Sequence, residues 1–306
     1  MKRVDFENIL SHCELCPRRC GVNRLAGELG FCRAGREAEL YRYAPHFGEE
    51  PPLSGTRGSG TVFFTRCTLG CLYCQNYPWS QNGAGAKITV ESLAAVFRKL
   101  ETQGCHNWNL VSPTPWLAAI AAALEDAGHG GEKLPVVYNT SGYERVAILR
   151  ALENIVDIYL TDLRYSREST ALACSRAGGY VQHSRLALRE MWRQKGALKF
   201  SPSGLAVSGV ICRILIMPGL AAEACANLRW LAENIGTDLA VSVMAQYTPA
   251  YRAEKIPGWN RRISYGEYEQ VCRAVEKEGF TNGWIQDYNR STNAELAGFN
   301  MPARAP

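Results

Sequence analysis

Nowhere in these 306 residues does an apolar run approach the ~20 needed to span a bilayer. The longest, such as Leu117 to Leu124, stop far short. The opening Met1 to Cys13 contains acidic residues and has no apolar core, so a secretory signal is not expected and a cytoplasmic setting is. The glycine-rich run Ser54-Gly55-Thr56-Arg57-Gly58-Ser59-Gly60 lacks the Gly-Lys-Ser/Thr ending of a phosphate loop and reads as a turn able to act as a lid. No strong charge imbalance exists either: the formal net charge is +5, with 46% hydrophobic and 21% charged residues, an ordinary globular composition for one large domain or two.

Cysteine is not lacking. Of twelve, seven fall in two tight clusters before residue 75. Such clustering points to metal ligation in a reducing compartment rather than to a disulfide framework. Cys67, Cys71 and Cys74 form a C-x3-C-x2-C triplet directly behind the apolar run Thr61 to Thr65. A cubane iron-sulfur cluster uses four cysteines when fully ligated, so a triplet leaves one iron open to a small molecule. The alternatives are a zinc knuckle or buried thiols; zinc normally completes four ligands, and no fourth Cys or His lies near this loop.

The other cluster, Cys13-x2-Cys16-x3-Cys20-x11-Cys32, supplies the four ligands of a closed site. Gly21 and Gly30 would let a short loop-rich module wrap one centre, and Arg18, Arg19, Arg24 and Arg33 would offset thiolate charge. Either a second 4Fe-4S cluster or zinc satisfies that count, with the cluster favoured.

Beyond the triplet, strand-like and helix-like segments alternate. Strands are expected at 61–65, 108–112, 135–139, 156–161, 209–217 and 239–246. Helices are expected at 90–103, 116–127, 143–152, 181–195, 221–235 and 264–278. This is the pattern of an α/β fold with a parallel sheet and outer helices. A closed eight-unit barrel needs about 250 residues; fewer follow Thr61, and six units suit a partial (β/α)6 barrel. The expected organisation is a metal module with its lead-in over residues 1–58, the barrel over 59–297 and a flexible tail over 298–306. Ligands of such a barrel gather at the carboxyl ends of its strands, where Asp162 stands out because a carboxylate there is seldom present for packing.

Residues 164–199 hold Arg164, Arg167, Arg176, Arg185, Arg189, Arg193, Lys195 and Lys199 against only Glu168 and Glu190. A solvated face is the first reading of this patch, and an acidic partner or polyanion the second. No nucleic-acid-binding signature accompanies it.

The triplet, with the aromatic Tyr73 before its third cysteine and a strand feeding the loop, resembles the radical S-adenosylmethionine (SAM) enzymes. The resemblance implies a 4Fe-4S cluster whose open iron chelates the amino and carboxylate groups of SAM and cleaves it reductively to a 5′-deoxyadenosyl radical. The His46-Phe47-Gly48-Glu49-Glu50-Pro51-Pro52 lead-in, Gln75-Asn76 and the Asn139-Thr140-Ser141-Gly142-Tyr143 turn resemble, more narrowly, an uncharacterised branch of pyruvate formate-lyase activating enzyme homologues. Carried over by position, Ser112 and Thr114 at the second strand end, Asn139, Thr140 and Ser141 at the third, and Asp162 and Arg164 at the fourth would flank SAM. Asn139 replaces an Asp of that family's pattern, which bears on a monovalent cation held there. Arg213, in a strand resembling Arg-x-Leu-x-x-Pro-Gly, would lie near SAM or pair with a carboxylate, and Gln246 and Tyr247 would line the substrate side. The implied partners are an electron donor such as flavodoxin or ferredoxin and a protein or peptide substrate, for example a glycyl-radical enzyme; another peptide, RNA or a small metabolite is the alternative substrate. An iron-sulfur electron carrier without SAM chemistry is the alternative class.

Overall fold

A computed structural model describes residues 6–128 and 134–288; the tail expected over 298–306 lies outside them. The strands are β1 (Ala38–His46), β2 (Ser59–Phe64), β3 (Ala86–Ile88), β4 (Trp108–Val111), β5 (Val136–Thr140), β6 (Ile158–Asp162), β7 (Lys199–Phe200), β8 (Ala206–Leu215), β9 (Ala240–Met244) and β10 (Gly283–Ile285). Three short helices come first, α1 (Phe6–Ile9), α2 (Pro51–Ser54) and α3 (Tyr77–Ser80). The longer ones are α4 (Val90–Thr102), α5 (Leu117–Ala127), α6 (Val146–Ala151), α7 (Glu168–Ser175), α8 (Tyr180–Lys195), α9 (Ala221–Asn234) and α10 (Tyr265–Lys277).

The sheet order is β10-β9-β8-β6-β5-β4-β2-β1-β3, with β7 paired to β8 outside that path. From β2 to β10 every neighbour is parallel and in chain order. A sheet wound in one direction has no strand-order reversal, so its strand ends converge on one mouth as in a barrel. Alternation along the strands separates two faces. Val137, Ile158, Leu160, Ile211, Ala240 and Trp284 form an inner core with Leu53 of α2. Tyr138, Tyr159, Cys212, Val241 and Val243 pack outward with helix residues such as Leu149, Leu188 and Leu228.

The barrel has seven parallel strands, one more than expected, because the short β10 adds to β9. On the other side β1 pairs antiparallel with both β2 and β3. Its Pro45 and charged residues masked it in the sequence, and a Pro is tolerated where the sheet nears its edge. The lead-in expected to stand with the N-terminal module is therefore part of the barrel: β1 extends the sheet and Leu53 plugs its floor. The turn at 55–58 lies at the amino end of β2, where His106 donates from its backbone to Gly58 O. That places it away from the mouth and corrects the expectation of a lid.

Helix starts follow local chemistry. The Thr89 side chain caps α4 by accepting from Ser92 N, and Ser264 with Glu267 forms a reciprocal capping box on α10. Arg261 and the cap donors hold the Glu267 carboxyl down at about 2. Residues before β1 form short turns whose Phe6, Leu10 and Leu15 pack into the outer core with Leu69, Tyr143 and Ile148, so the module shares the barrel's core.

Candidate active site

The chain leaves β2 through Arg66, whose φ of +66° turns the backbone sharply and whose Nε pairs with Glu39 at 2.9 Å. Gly70 N then donates to Ser175 O at 2.9 Å and Leu72 N to Cys174 O at 2.8 Å, while Ala253 N donates to Leu72 O at 2.9 Å. The loop bearing Cys67, Cys71 and Cys74 is thus strapped on both sides. Burial and the neighbouring Cys71 and Cys74 push the Cys67 thiol up to about 12, and burial followed by Cys71 raises Cys74. Metal ligation requires thiolates, so a bound cation would have to displace the protons that burial holds on these sulfurs.

Donors are already aimed at these sulfurs. Ser175 Oγ donates to Cys71 Sγ at 2.9 Å and Arg164 Nη1 donates to it at 3.2 Å. Ser80 Oγ lies 3.1 Å from Cys74 Sγ, and Leu69 N donates to Cys67 Sγ at 3.4 Å. Such a donor set fits thiolates. Among the described residues no group of three or more His, Cys, Asp or Glu side chains is arranged to hold a single metal ion. A cubane, which takes one thiolate per iron, is a broader body than an ion.

The three cysteines open on a cavity of about 430 Å³ at the barrel mouth, a volume suited to a small-molecule ligand. Tyr73, Ser112, Asn139, Thr140, Ser141, Asp162, Arg164, Arg213, Gln246 and Tyr247, all singled out by sequence, line it together. Ser112 holds a φ of +56°, unusual for a residue with a side chain and often found at functional sites. Asp162 accepts from Arg164 Nε at 3.0 Å, and that pairing turns the guanidinium toward Cys71. Gln246 is tied to the cysteine loop through Gln75, whose Nε2 donates to Gln246 O at 3.2 Å.

Thr114 is the exception. Its side chain faces away from the cavity, donating to Glu144 Oε1 at 2.6 Å beside Tyr138, because Pro113 and Pro115 turn the chain into α5. Arg213 points inward but is already paired: Nε donates to Glu50 Oε1 at 2.8 Å, and Nη2 meets both Glu49 and Glu50. The buried guanidinium therefore takes the carboxylate alternative open to it, and the partners come from the lead-in to α2. Glu49-Glu50 is legible in the sequence as a motif, but its facing Arg213 is not, and Tyr165 and Ser175 carry no local signal that marks them.

The N-terminal cysteine segment is a closed loop. Cys13 N donates to Val22 O at 2.9 Å and Gly21 N to Cys13 O at 3.0 Å, closing the loop. Burial raises both Cys16 and Cys32, and the other cysteines of the set reinforce the effect. Arg18 anchors this module to the barrel. Its Nε donates to Thr68 O at 2.6 Å and its Nη2 to Arg176 O at 2.7 Å, with the guanidinium 3.2 Å from the centre of the Phe31 ring. The basic patch is largely answered within the fold: Arg193 pairs with Glu190 and Glu153, Arg167 with Glu223, and Arg185 lies over Trp230.

Fold and site together define an α/β protein whose open, singly wound barrel carries a three-cysteine loop at its mouth. The chain belongs to the family of the uncharacterized protein MJ0674 of Methanocaldococcus jannaschii, with 30% identity over 284 residues that cover 89% of this chain and 76% of that protein. No protein-family model matches the chain. Among solved structures, native anSMEcpe with bound AdoMet and Cp18Cys peptide is 9% identical with a TM-score of 0.49, the match covering 70% of this chain and 56% of that one. HydG, a maturase of the FeFe-hydrogenase, is 14% identical with a TM-score of 0.48, covering 74% and 50% respectively. The chain thus spans about half the length of those two proteins. No helix among the described residues is long and apolar enough to cross a membrane.

Proposed function

We propose that this protein is a radical SAM enzyme. The observation that carries the reading is the placement of three cysteines, Cys67, Cys71 and Cys74, on the same cavity as the polar ends of β5, β6 and β8. Cys67, Cys71 and Cys74 would hold a 4Fe-4S cluster, and Ser112, Asn139, Ser141, Asp162 and Arg164 would border SAM. When bound, the cluster supplies one electron that cleaves SAM to a 5′-deoxyadenosyl radical able to take a hydrogen atom from a substrate. The protein's own part is to orient and to exclude water. Asp162 fixes Arg164, the Arg213 pair with Glu49 and Glu50 stiffens the inner wall, and Tyr73, stacked 5.4 Å from Trp259, closes one side.

Within that class the narrower reading is an activating enzyme acting on a glycyl-radical protein in the cytoplasm, reduced by flavodoxin or ferredoxin. Cys13, Cys16, Cys20 and Cys32 would hold a second cluster; zinc at that position is the alternative. The deciding experiment is anaerobic reconstitution with iron and sulfide, followed by dithionite and SAM. The protein should release 5′-deoxyadenosine, and Cys71→Ala should abolish the release, since two protein ligands do not retain a stable open-iron site. Turnover that persists in Cys71→Ala would overturn the assignment. An iron-sulfur carrier, the alternative of another class, would release none in either form.

A further inference from the structure

We infer that a directional chain of hydroxyls, Tyr73 to Tyr165 to Ser175, ends on Cys71 Sγ and sets the reduction potential of the cluster held by the triplet. This rests on reading Cys67, Cys71 and Cys74 as ligands of an open four-iron site. Tyr73 OH and Tyr165 OH lie 2.7 Å apart, Tyr165 OH meets Ser175 Oγ, and Ser175 Oγ is 2.9 Å from Cys71 Sγ. A metal-bound thiolate has no proton and only accepts, so the single proton of Ser175 is committed to the sulfur. Tyr165 must then donate to Ser175, and Tyr73 to Tyr165. Each hydroxyl polarises the next, and the effect is strongest where water is excluded. Tyr165 and Ser175 are fully buried and Tyr73 nearly so.

The three sulfurs are treated unequally. Cys71 receives this chain and also the charged Arg164 Nη1 at 3.2 Å, whereas Cys67 accepts from one backbone amide at 3.4 Å and Cys74 faces the Ser80 hydroxyl at 3.1 Å and the Asn76 backbone, both uncharged. Reduction adds one negative charge to the cluster. Donors on a ligand sulfur stabilise that added charge and raise the potential. None of Tyr165, Ser175 or the distal end of Tyr73 needs to touch SAM, so these are positioning residues acting through Cys71.

The test is a dye-mediated titration of full-length reconstituted protein with dithionite. It is followed by electron paramagnetic resonance and read on the signal that changes when SAM is added, which separates the triplet's cluster from any second one. With iron content unchanged, Ser175→Ala should lower the ratio of reduced to oxidised cluster about tenfold at a given potential, a downward shift of about 59 mV for one electron. Tyr165→Phe keeps the ring and should shift it in the same direction by less, because Ser175 still donates. If Ser175→Ala does not take up its cluster, the midpoints of Tyr165→Phe and Tyr73→Phe decide the matter. Midpoints in the loaded variants equal to wild type would overturn the inference. Wild-type protein that binds iron but gives no SAM-responsive signal would overturn the underlying reading of the triplet instead.

Discussion

Gly142 lies so close to Asp162 that a Cβ built on it would run into the Asp162 carbonyl oxygen. Its φ of +77° is a conformation that residues with side chains rarely adopt. The turn after β5 and the end of β6 are therefore held at backbone contact, and the polar residues on both come to one side of the cavity.

Gly142→Ala should be expensive for that reason. Left-handed strain alone costs about 1–3 kcal/mol, and the collision adds to it by pushing β6 outward. A lowered denaturation midpoint together with weakened SAM cleavage is expected. An unchanged midpoint in a chemical denaturation curve would show that the two strand ends are not locked together.

Asp162→Asn keeps the shape and removes the charge that aims Arg164 at Cys71. Losing a charge-assisted hydrogen bond costs about 1.5–3 kcal/mol, roughly a tenfold to hundredfold loss in SAM affinity or turnover. Iron content and melting temperature should hardly move, since neither the cysteines nor the core is touched. Normal cleavage by the variant, or loss of its cluster, would remove Asp162 from the proposed SAM site.

Replacing Cys67, Cys71 and Cys74 together by Ala should leave the N-terminal metal in place, because its four ligands come from a separate loop that docks through Arg18 and the outer core. About four irons per chain, or one zinc, should remain by metal analysis. A metal-free variant would argue against the module as a site of its own.

Glu144 offers a pH test. Burial pushes its carboxyl up to about 7, against the partial relief given by hydroxyls of Thr114, Thr140 and Tyr138, and its second oxygen is buried without a partner among the described residues. The folded state keeps the proton while the unfolded chain releases it near 4.5. The contribution of this group to stability is therefore fully present below about 4.5, is lost as pH rises toward about 7, and does not return above that. Glu144→Gln removes the ionisation. Its melting temperature relative to wild type should improve between pH 5 and about pH 7 and then level off; a constant difference from pH 5 to pH 7 would refute this account.

The parallel strands were legible because their apolar runs end in polar residues, as in Val136–Thr140 and Ile158–Asp162, and the triplet was legible because its spacing is local. What was hidden depends on contacts distant in sequence. Helix α7 reads Glu-Ser-Thr-Ala-Leu-Ala-Cys-Ser, with little apolar periodicity, and it is held in place by its packing and by Glu223, which accepts from Thr170 Oγ1 at 2.6 Å. Without α7 in view, Ser175 could not be placed beside Cys71, 104 residues away. Thr114 was misplaced for the same kind of reason: a strand end gives position along the barrel axis, whereas the side a hydroxyl faces depends on where Glu144 is buried.

The bond from Arg18 to Arg176 O joins positions 158 residues apart. At about 5–20 residues per second of synthesis, roughly 8–30 s must pass on the ribosome between the appearance of the first cysteine loop and that of its docking surface. During that interval the four thiols at Cys13, Cys16, Cys20 and Cys32 are carried on an unsupported segment. On the proposed reading a metal at Cys13, Cys16, Cys20 and Cys32 arrives late, and a nascent chain stalled before residue 176 would present these sulfurs to oxidants with no barrel to receive them.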